Sequence, residues 1–216
     1  MAYALTHDLR APVRQIEAFV NLLLEKCEGL DAEGQKYADY IQAAAGSIRG
    51  QLDALTRYAR ETEAPAPGAM MTIELGLLVD GLVVEMDGAI RAAGAQVHVG
   101  VLPEVFGAPA GVRTVFRELI ENSLKFAGDA ACVRIDARTE VDVCIVSVSD
   151  NGPGLPAEHR EKALQLFRRC QAGASGTGTG LAIVQGILGY HDGPGSVGAS
   201  PEGGFRFEFP LRTAGR

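Results

Sequence analysis

The first 62 residues carry apolar side chains at alternating steps of three and four along two separate stretches. This heptad spacing predicts two helices with one apolar seam each. The turn-rich segment 28–34 separates them, so the pattern predicts a helical hairpin. One hairpin covers its own seams poorly, whereas two hairpins form a four-helix bundle. We therefore expect a homodimer through residues 1–63; the alternative is a hairpin that packs on the rest of its own chain. The seams consist of Leu9, Val13, Ile16, Val20, Leu23 and Cys27, and of Ile41, Ala44, Ile48, Leu52, Leu55 and Ala59.

Composition excludes several classes of protein. The net charge of -7 argues against a nucleic-acid binder, because phosphate backbones attract basic surfaces. The four cysteines show no CxxC spacing, so we expect reduced thiols rather than a zinc site or disulfides. No apolar run approaches the length of a membrane span, and Asp8 and Arg10 interrupt any signal peptide. We expect a cytoplasmic protein segment without membrane contact.

The segment ETEAPAPGAM (61–70) marks a boundary, after which the pattern changes. Strands with β-branched residues now alternate with helical stretches, and two adjacent strands form an antiparallel hairpin. This order predicts an α/β sandwich over residues 70–213, with helices on one face of the sheet. Helical spacing covers 75–90, 112–127, 157–167 and 180–188, and strand patterns cover 96–101, 132–138, 141–150 and 203–211.

Three segments of this second region indicate nucleotide chemistry. In ELIENSLKF (118–126), Glu118, Asn122 and Lys125 share one helix face, where they could hold Mg²⁺ and phosphates; a solvated helix face is the alternative. In SDNGPGLP (149–156), Asp150 ends an apolar strand and could accept a hydrogen bond from an adenine amine, although a simple turn also explains the glycines that follow.

The third segment, GASGTGTGLAIV (173–184), places glycines at positions 173, 176, 178 and 180 before a helix. Backbone N–H groups and a helix N-terminus of this kind can bind phosphate, and a flexible linker is the alternative. The segment lacks the GK[ST] ending of a Walker loop and does not begin a parallel-strand unit, so a Rossmann fingerprint is excluded as well.

The first helix poses a separate question at HDLRAPVR (7–14). Pro12 interrupts its helical pattern five residues after His7, and proline removes a backbone hydrogen bond. The spacing predicts a polar row of His7, Arg10, Arg14, Glu17 and Asn21 beside the apolar seam, so we expect His7 to face solvent. A single surface histidine is usually no more than a solvated side chain.

Together and in this order, the segments resemble the catalytic core of bacterial sensor histidine kinases over nearly the whole chain. THDLRAPVRQI is similar to the phosphoacceptor box, above all to that of phytochrome-associated kinases. ELIENSLKF resembles the N box, SDNGPGLP and GTGTGLAIV the two glycine boxes, and LFRR (166–169) stands where the family has its F box. The resemblance implies an α+β protein: a dimerisation and phosphotransfer hairpin, followed by a Bergerat-type ATP-binding domain of the GHKL superfamily.

The family implies ATP-dependent autophosphorylation of His7, then transfer of the phosphoryl group to an aspartate of a response regulator. Asp8 would orient the ring or accept its other proton, and Pro12 would let the helix bend. Asn122 would bind Mg²⁺, Asp150 would read the adenine amine, and the glycines at 176, 178 and 180 would form a lid. The implied nucleotide-binding set is Asn122, Lys125, Phe126, Asp150, Gly152, Gly154, Gly176, Gly178, Gly180 and Leu181.

The chain also departs from the family pattern. Glu118 stands where most such kinases have asparagine, so it could bind the metal, act as a base, or do neither. The lid is short and lacks the usual proline, and Ala11 replaces the Thr or Asn of phosphatase-competent relatives, so we expect weak phosphatase activity. Only six residues precede His7, which indicates the cytosolic core of a longer sensor.

Two other functions remain open at this point. One is a histidine phosphotransfer relay module whose ATP-binding domain has degenerated; the other is a GHKL ATPase that leaves His7 unlabelled. Glu118 and the short lid favour the relay module, and the intact Asp150 segment argues against it.

Overall fold

The computed structural model describes residues 2–26, 30–128, 130–170 and 176–214, and of residues 2–5 and 7 only the helical backbone. The chain divides into two compact units, Met1–Arg60 and Glu61–Arg216. Among the described helices, none combines the length and the apolar character needed to cross a bilayer.

The first unit consists of helices α1 (Ala2–Lys26) and α2 (Ala32–Glu61). Side-chain hydrogen bonds join the two helices, and the residue numbers of the partners fall along α2 as they rise along α1, so the helices run antiparallel. These bonds include Arg10 to Asp53 at 2.8 Å, Glu17 to Arg49 at 2.9 Å, and Asn21 to Gln42 at 2.6 Å. Cys27 and the rest of 27–29 lie outside the described residues, as does the handedness of the connection.

The apolar seam of α1 divides into two sets of residues. Val13 and Val20, seven residues apart, are buried, and Val13 packs with Ala45 and Leu52 of α2. The remaining seam residues of α1 stay exposed: Leu9, Ile16 and Leu23 show 45%, 44% and 43% of their surface. On α2, Ile41 and Ile48 are exposed in the same way. Each helix therefore buries one apolar stripe inside the pair and leaves a second stripe uncovered.

Helix α1 forms where the apolar seam predicts a helix, and part of its polar row contacts α2. The helix is continuous from Ala2 to Lys26 with Pro12 inside it. Three members of the predicted polar row, Arg10, Glu17 and Asn21, bond across to α2. The side chain of His7, which was expected to face solvent, lies outside the described residues. Long polar side chains beside a seam reach the facing helix, which the spacing on one helix alone does not reveal.

The second unit is a mixed α/β sandwich, as predicted for this part of the chain. Its elements, in chain order, are β1 (Met71–Glu74), α3 (Leu75–Glu85), α4 (Asp87–Ala92), β2 (Gln96–Val99), β3 (Glu104–Gly107), α5 (Pro109–Phe126), β4 (Cys132–Glu140), β5 (Val143–Asp150), α6 (Ala157–Ala163), α7 (Gly180–Leu188), β6 (Ser196–Ala199) and β7 (Phe205–Thr213).

The strands form one seven-stranded sheet in the order β1-β3-β7-β5-β4-β2, with β6 also paired to β7. The predicted hairpin is confirmed, since β4 and β5 pair antiparallel from Val133↔Asp150 to Glu140↔Val143. One pair, β2 with β4, is parallel. β7 occupies the centre because it pairs with β5 on one side and with β6 and β3 on the other.

The hydrophobic core lies between this sheet and helices α3, α5 and α7. Alternate side chains of β5 and β7 point into it and are almost completely buried: Cys144, Val146, Val148, Phe207, Phe209 and Leu211. The rings of Phe116 in α5 and Phe209 in β7 meet edge to face at 5.8 Å. The opposite face carries charged residues such as Arg134 and Asp136, which are exposed. Helices therefore cover one face, in agreement with the prediction.

Several elements differ from the sequence prediction. Strands β1 and β3, of four residues each, were not predicted. The strand predicted over 96–101 is shorter than expected, since β2 ends at Val99. Helical spacing over 75–90 belongs to two helices, α3 and α4, which meet at Met86. The helix expected over 157–167 ends at Ala163, since the following N–H groups bond three residues back and Phe167 adopts a φ of 63°.

Candidate functional site

Helix α5 carries the polar side chains that the sequence predicts to share one face. Pro109 stands at its start, where a missing N–H costs nothing, and residues such as Phe116 and Leu119 anchor the helix on the core. Helical spacing then puts Glu118, Asn122 and Lys125 along one side. Glu118 is buried with 4% of its surface exposed, Asn122 is half-buried, and Lys125 is exposed.

The start of α7 lies against this polar side. A Cβ atom built on Gly180 would lie 2.6 Å from Glu118 Oε2 and 3.6 Å from Asn122 Nδ2. A larger residue at position 180 would therefore displace the end of the Glu118 side chain, whereas its distance from Asn122 would be that of an ordinary contact. The positive end of a helix dipole here stabilises negative charge, such as that of the Glu118 carboxylate. Leu181, also predicted to contact the nucleotide, is half-buried in the same turn.

Asp150 is held rigidly at the end of β5. Its carboxylate is 3% exposed, and Oδ1 accepts hydrogen bonds from the N–H groups of Gly152 at 2.9 Å and Phe205 at 3.1 Å. Ser200 Oγ donates to the carbonyl of Asp150 at 2.9 Å and accepts from Gly204 N–H at 2.9 Å. The turn between β6 and β7 therefore fixes the position of the aspartate.

The two glycines after Asp150 make room for their neighbours. A Cβ built on Gly152 would lie 2.7 Å from Ala127 Cα, at the end of α5. One built on Gly154, which has a φ of 66°, would lie 2.8 Å from the carbonyl of Gly203. These glycines bring the end of β5 against both α5 and the β6–β7 turn.

The glycine-rich segment lies beside Lys125. A Cβ on Gly176 would lie 2.7 Å from Lys125 Nζ, and this ammonium also stands 4.6 Å over the ring of Phe126. Although Lys125 is exposed, partial desolvation of its ammonium lowers its pKa below the usual value, and the guanidinium of Arg169 lowers it further. Two cations near each other favour the binding of an anion between them. Gly178 has a φ of 70° and packs against the backbone of Arg168; residues 171–175 of the predicted lid lie outside the described residues.

The predicted site residues of the second unit lie on α5, at and after the end of β5, and in and before the first turn of α7. Gly180 and Gly176 lie near side chains of α5, and Gly152 lies near the end of that helix. His7 and Asp8 belong to α1 in the first unit. Asp8 is exposed there, and the side chain of His7 lies outside the described part of the chain. The sequence did not predict the hydrogen bonds that Ser200 Oγ and Phe205 N–H donate to Asp150. No local pattern marks a turn that contacts an aspartate at least 50 residues earlier in the chain.

The second unit fits an adenine nucleotide with a magnesium ion. The Glu118 carboxylate and the Asn122 amide offer two hard oxygen ligands, and Lys125 supplies charge for phosphates. Within the described residues no cluster of three or more His, Cys, Asp and Glu could hold a metal alone. Magnesium usually takes one or two protein oxygens and shares phosphate ligands, so this donor set suits it. Ser123 Oγ, buried and without a hydrogen-bond partner in the described structure, is a further polar atom in this region.

Comparison with known proteins gives matches to both units. Residues 107–215, just over half of the chain, match the family described as histidine kinase-, DNA gyrase B-, and HSP90-like ATPases. Phytochrome-like protein Cph1 of Synechocystis sp. is 28% identical over 214 residues, which are 97% of this chain and 28% of that protein. Methanogenesis regulatory histidine kinase FilI of Methanothrix harundinacea is 30% identical over 88% of this chain and 22% of its own length. The chain therefore spans about a quarter of such relatives.

Solved structures share the fold. Full-length ShkA in complex with AMPPNP aligns with a TM-score of 0.69 and 23% identity, covering 100% of this chain and 46% of that one. The catalytic domain of histidine kinase ThkA aligns with a TM-score of 0.59 and 22% identity over 67% of this chain and 97% of that domain. With the polar face of α5, the buried Asp150 and the glycine-rich start of α7, these matches show that the chain belongs to the family of histidine kinase-, DNA gyrase B- and HSP90-like ATPases, as a sensor histidine kinase catalytic core.

Proposed function

We propose that the chain phosphorylates itself on His7 with ATP and passes the phosphoryl group to an aspartate of a response-regulator receiver domain in the cytoplasm. The observation that supports the proposal is the close approach of Gly180, at the start of α7, to Glu118 and Asn122 on the polar face of α5. Residues 70–213 would form the ATP-binding domain, and residues 1–63 the dimerisation and phosphotransfer domain.

The residues of the second unit would bind and orient ATP. Asp150 would accept a hydrogen bond from the adenine amine, with Gly152 and Gly154 giving the base room. Asn122 and Glu118 would hold Mg²⁺, which when bound supplies positive charge for the phosphate oxygens. Lys125 would contact the phosphates beside the lid glycines Gly176, Gly178 and Gly180, while Phe126 and Leu181 would line the site.

In the first unit, His7 would be the nucleophile. Its neutral imidazole attacks the terminal phosphorus of ATP, so that an N–P bond forms while the P–O bond to ADP breaks. The proton on the other ring nitrogen would be accepted or oriented by Asp8. The receiver aspartate then takes the phosphoryl group, which returns His7 to its neutral form.

A dimer would bury the apolar stripe that the helix pair leaves exposed. Ile16 and Ile48 are exposed on the second apolar stripe of α1 and α2, at heptad spacing from the other uncovered seam residues. A second copy of the same stripe would bury them in a four-helix bundle, as the hydrophobic effect favours.

Incubation with Mg²⁺ and ATP labelled on the γ-phosphate tests the proposal. We expect an acid-labile, base-stable label on the parent protein that is absent from His7→Ala and Asn122→Ala. His98→Ala, which replaces an exposed histidine of β2, serves as the matched control and keeps the label. Label that persists in His7→Ala would contradict the assignment of the phosphoacceptor.

The relay module is the second candidate, because Glu118 stands in the position of an expected asparagine and is buried against Gly180. A folded, dimeric parent that shows no affinity for ATP with Mg²⁺, yet accepts label on His7 from a phosphorylated receiver, would establish it. Phosphate release that continues in His7→Ala would instead indicate an ATPase.

A further inference from the structure

A small cavity lies between α1 and α2 in the first unit. Its volume is about 200 Å³, below the range of about 300–1,000 Å³ in which drug-sized ligands bind. Val13 and Leu52, which are buried in the packed cluster of the helix pair, form its apolar part. The cavity therefore has room for a small ligand only. Its other lining residues are all charged: Arg10, Arg14, Arg49 and Asp53.

Two of the three guanidinium groups are held in place across the helix pair. Arg10 of α1 donates to Asp53 at 2.8 Å and to Thr56 Oγ1 at 3.0 Å, both on α2. Arg49 of α2 donates to Glu17 of α1 at 2.9 Å. A guanidinium group has five N–H donors, so each of these arginines keeps donors for a further acceptor.

Arg14 supplies the third guanidinium group. It is exposed, and within the described ranges it has neither a hydrogen bond nor an ion pair. The lining carries three positive charges and one negative charge, and Glu17 compensates one more of the positive charges. One positive charge thus remains uncompensated in a chain whose net charge is -7. An anion that contacts Arg14 would remove this imbalance, and the apolar side of the cavity would strengthen the attraction by excluding water.

We propose that this cavity binds a small oxyanion of the phosphate type. The planar forks of the arginines match pairs of phosphate oxygens and can donate two parallel hydrogen bonds each. Because the donors come from both helices, a bound anion would join Arg10 and Arg14 of α1 to Arg49 of α2 and stabilise the helix pair. The cavity belongs to the first unit, so this site does not depend on nucleotide binding by the second.

The Nε–H signals of the arginines test the site directly. Two-dimensional proton–nitrogen NMR spectra of the full chain are recorded while inorganic phosphate is added at constant ionic strength. We expect the signals of Arg10, Arg14 and Arg49 to shift and to saturate, with a dissociation constant on the order of 1 mM. Sodium chloride at the same ionic strength should give no saturable shift.

Variants of Arg14 separate specific binding from a general effect of salt. Arg14→Gln removes one guanidinium group but none of the hydrogen bonds between the helices, so the pair keeps its fold. It should weaken the binding seen at Arg10 and Arg49 by about tenfold, as hydrogen bonds to a charged group are lost. Arg14→Lys keeps the charge without the fork and should bind with intermediate affinity. Arg134→Gln, at an exposed position of β4, is the matched control and should bind like the parent.

The melting temperature gives a second readout. A ligand that binds only the folded state stabilises it, so phosphate should raise the melting temperature of the parent more than that of Arg14→Gln. Phosphate also stabilises proteins because it is excluded from their surface. The difference between the two proteins, rather than the rise itself, is therefore the quantity to compare.

Titration with ATP and Mg²⁺ identifies the source of the phosphate group. Shifts of the three arginine signals with inorganic phosphate alone would assign a free anion, and shifts with both would assign the terminal phosphate of a nucleotide as well. Three results would overturn the inference: no saturable shift, equal shifts with chloride, or an unchanged affinity in Arg14→Gln. A parent that never labels His7 would overturn the proposed function alone, since these spectra do not depend on catalysis.

Discussion

Single glycines determine how closely the backbone can surround the candidate base-reading carboxylate. Gly204 is buried, and a Cβ built on it would overlap the carbonyl of Asp150. Because this neighbour is backbone and cannot rotate away, the β6–β7 turn would have to move. The hydrogen bond from Phe205 N–H to Asp150 would move with it.

We therefore expect Gly204→Ala to destabilise the protein by about 1–3 kcal/mol, the usual cost of overpacking, and to weaken ATP binding. Gly198→Ala is the matched control, because Gly198 lies in β6 with nothing within 4 Å of a built Cβ. Urea unfolding and nucleotide titration measure the two effects. Equal stability of both variants would contradict the argument.

At this scale the sequence predicts the chemistry of single residues but not the contacts that position them. The spacing of Glu118 and Asn122 is enough to place them on one helix face. Their contact with Gly180 depends on how α5 and α7 pack. The support of Asp150 by Ser200 depends on strand register, which joins residues far apart in the chain.

Among the elements, α3 and α5 are joined by one acidic residue. Glu85 of α3 accepts hydrogen bonds from Arg113 and, at 2.5 Å, from Arg117 of α5. The bond from Arg117 is the main cause that lowers the pKa of Glu85 below its ordinary value of 4.5, and Arg113 lowers it further. The unfolded chain therefore binds more protons than the folded protein when the pH falls below this value.

The stabilisation from Glu85 is consequently complete above about pH 4.5 and disappears as the pH falls through the lowered pKa. We expect Glu85→Gln to be less stable than the parent at pH 6, with a smaller difference at pH 3.5. Urea unfolding at both values measures it. Glu121→Gln, at an exposed position of α5, is the control and should show no such change with pH. A difference that is independent of pH would show that charge is not involved.

Elements that are long enough to show an apolar periodicity lie close to the positions predicted from the sequence. The prediction of α7 over 180–188 is confirmed, and β4 contains the strand predicted at 132–138. The strand predicted at 141–150 begins two residues later, at Val143 of β5. Helix α6 ends early because Phe167 adopts a left-handed conformation, which phenylalanine rarely does and no pattern indicates. The short strands β1 and β3 contribute backbone pairing rather than a recognisable run of side chains.

At the scale of the whole molecule, the uncovered apolar stripe of α1 and α2 predicts a dimer. We expect light scattering to give twice the chain mass of 22.7 kDa for the parent. Ile16→Asp and Ile48→Asp should weaken the dimer by at least about tenfold, because each would bury an unpaired carboxylate.

Val84→Asp is the matched control for the dimer. Val84 is 76% exposed on α3 of the second unit, so it offers the same chemical change outside the proposed interface. A mass of 22.7 kDa for the parent at all concentrations would contradict the dimer. Loss of the dimer in Val84→Asp alone would place the interface on the second unit.

The sequence predicts the mixed α/β sandwich of the second unit, because apolar periodicity changes from heptads to alternating strands after residue 70. The central place of β7 could not be predicted from the chain order. Its pairing with β3, β5 and β6 depends on long-range packing, which local patterns do not encode.

The position of β7 also affects how the protein is made. Until Phe205–Thr213 is synthesised, the pair β1–β3 shares no strand with the assembly β5–β4–β2. From Gly107 to Thr213 the ribosome must add 106 residues, which takes roughly 5–20 s at ordinary elongation rates. During that time the nascent chain exposes unpaired strand edges, the feature by which chains aggregate. The second unit should therefore depend on chaperones that shield growing chains, and it closes only when its last strand leaves the ribosome.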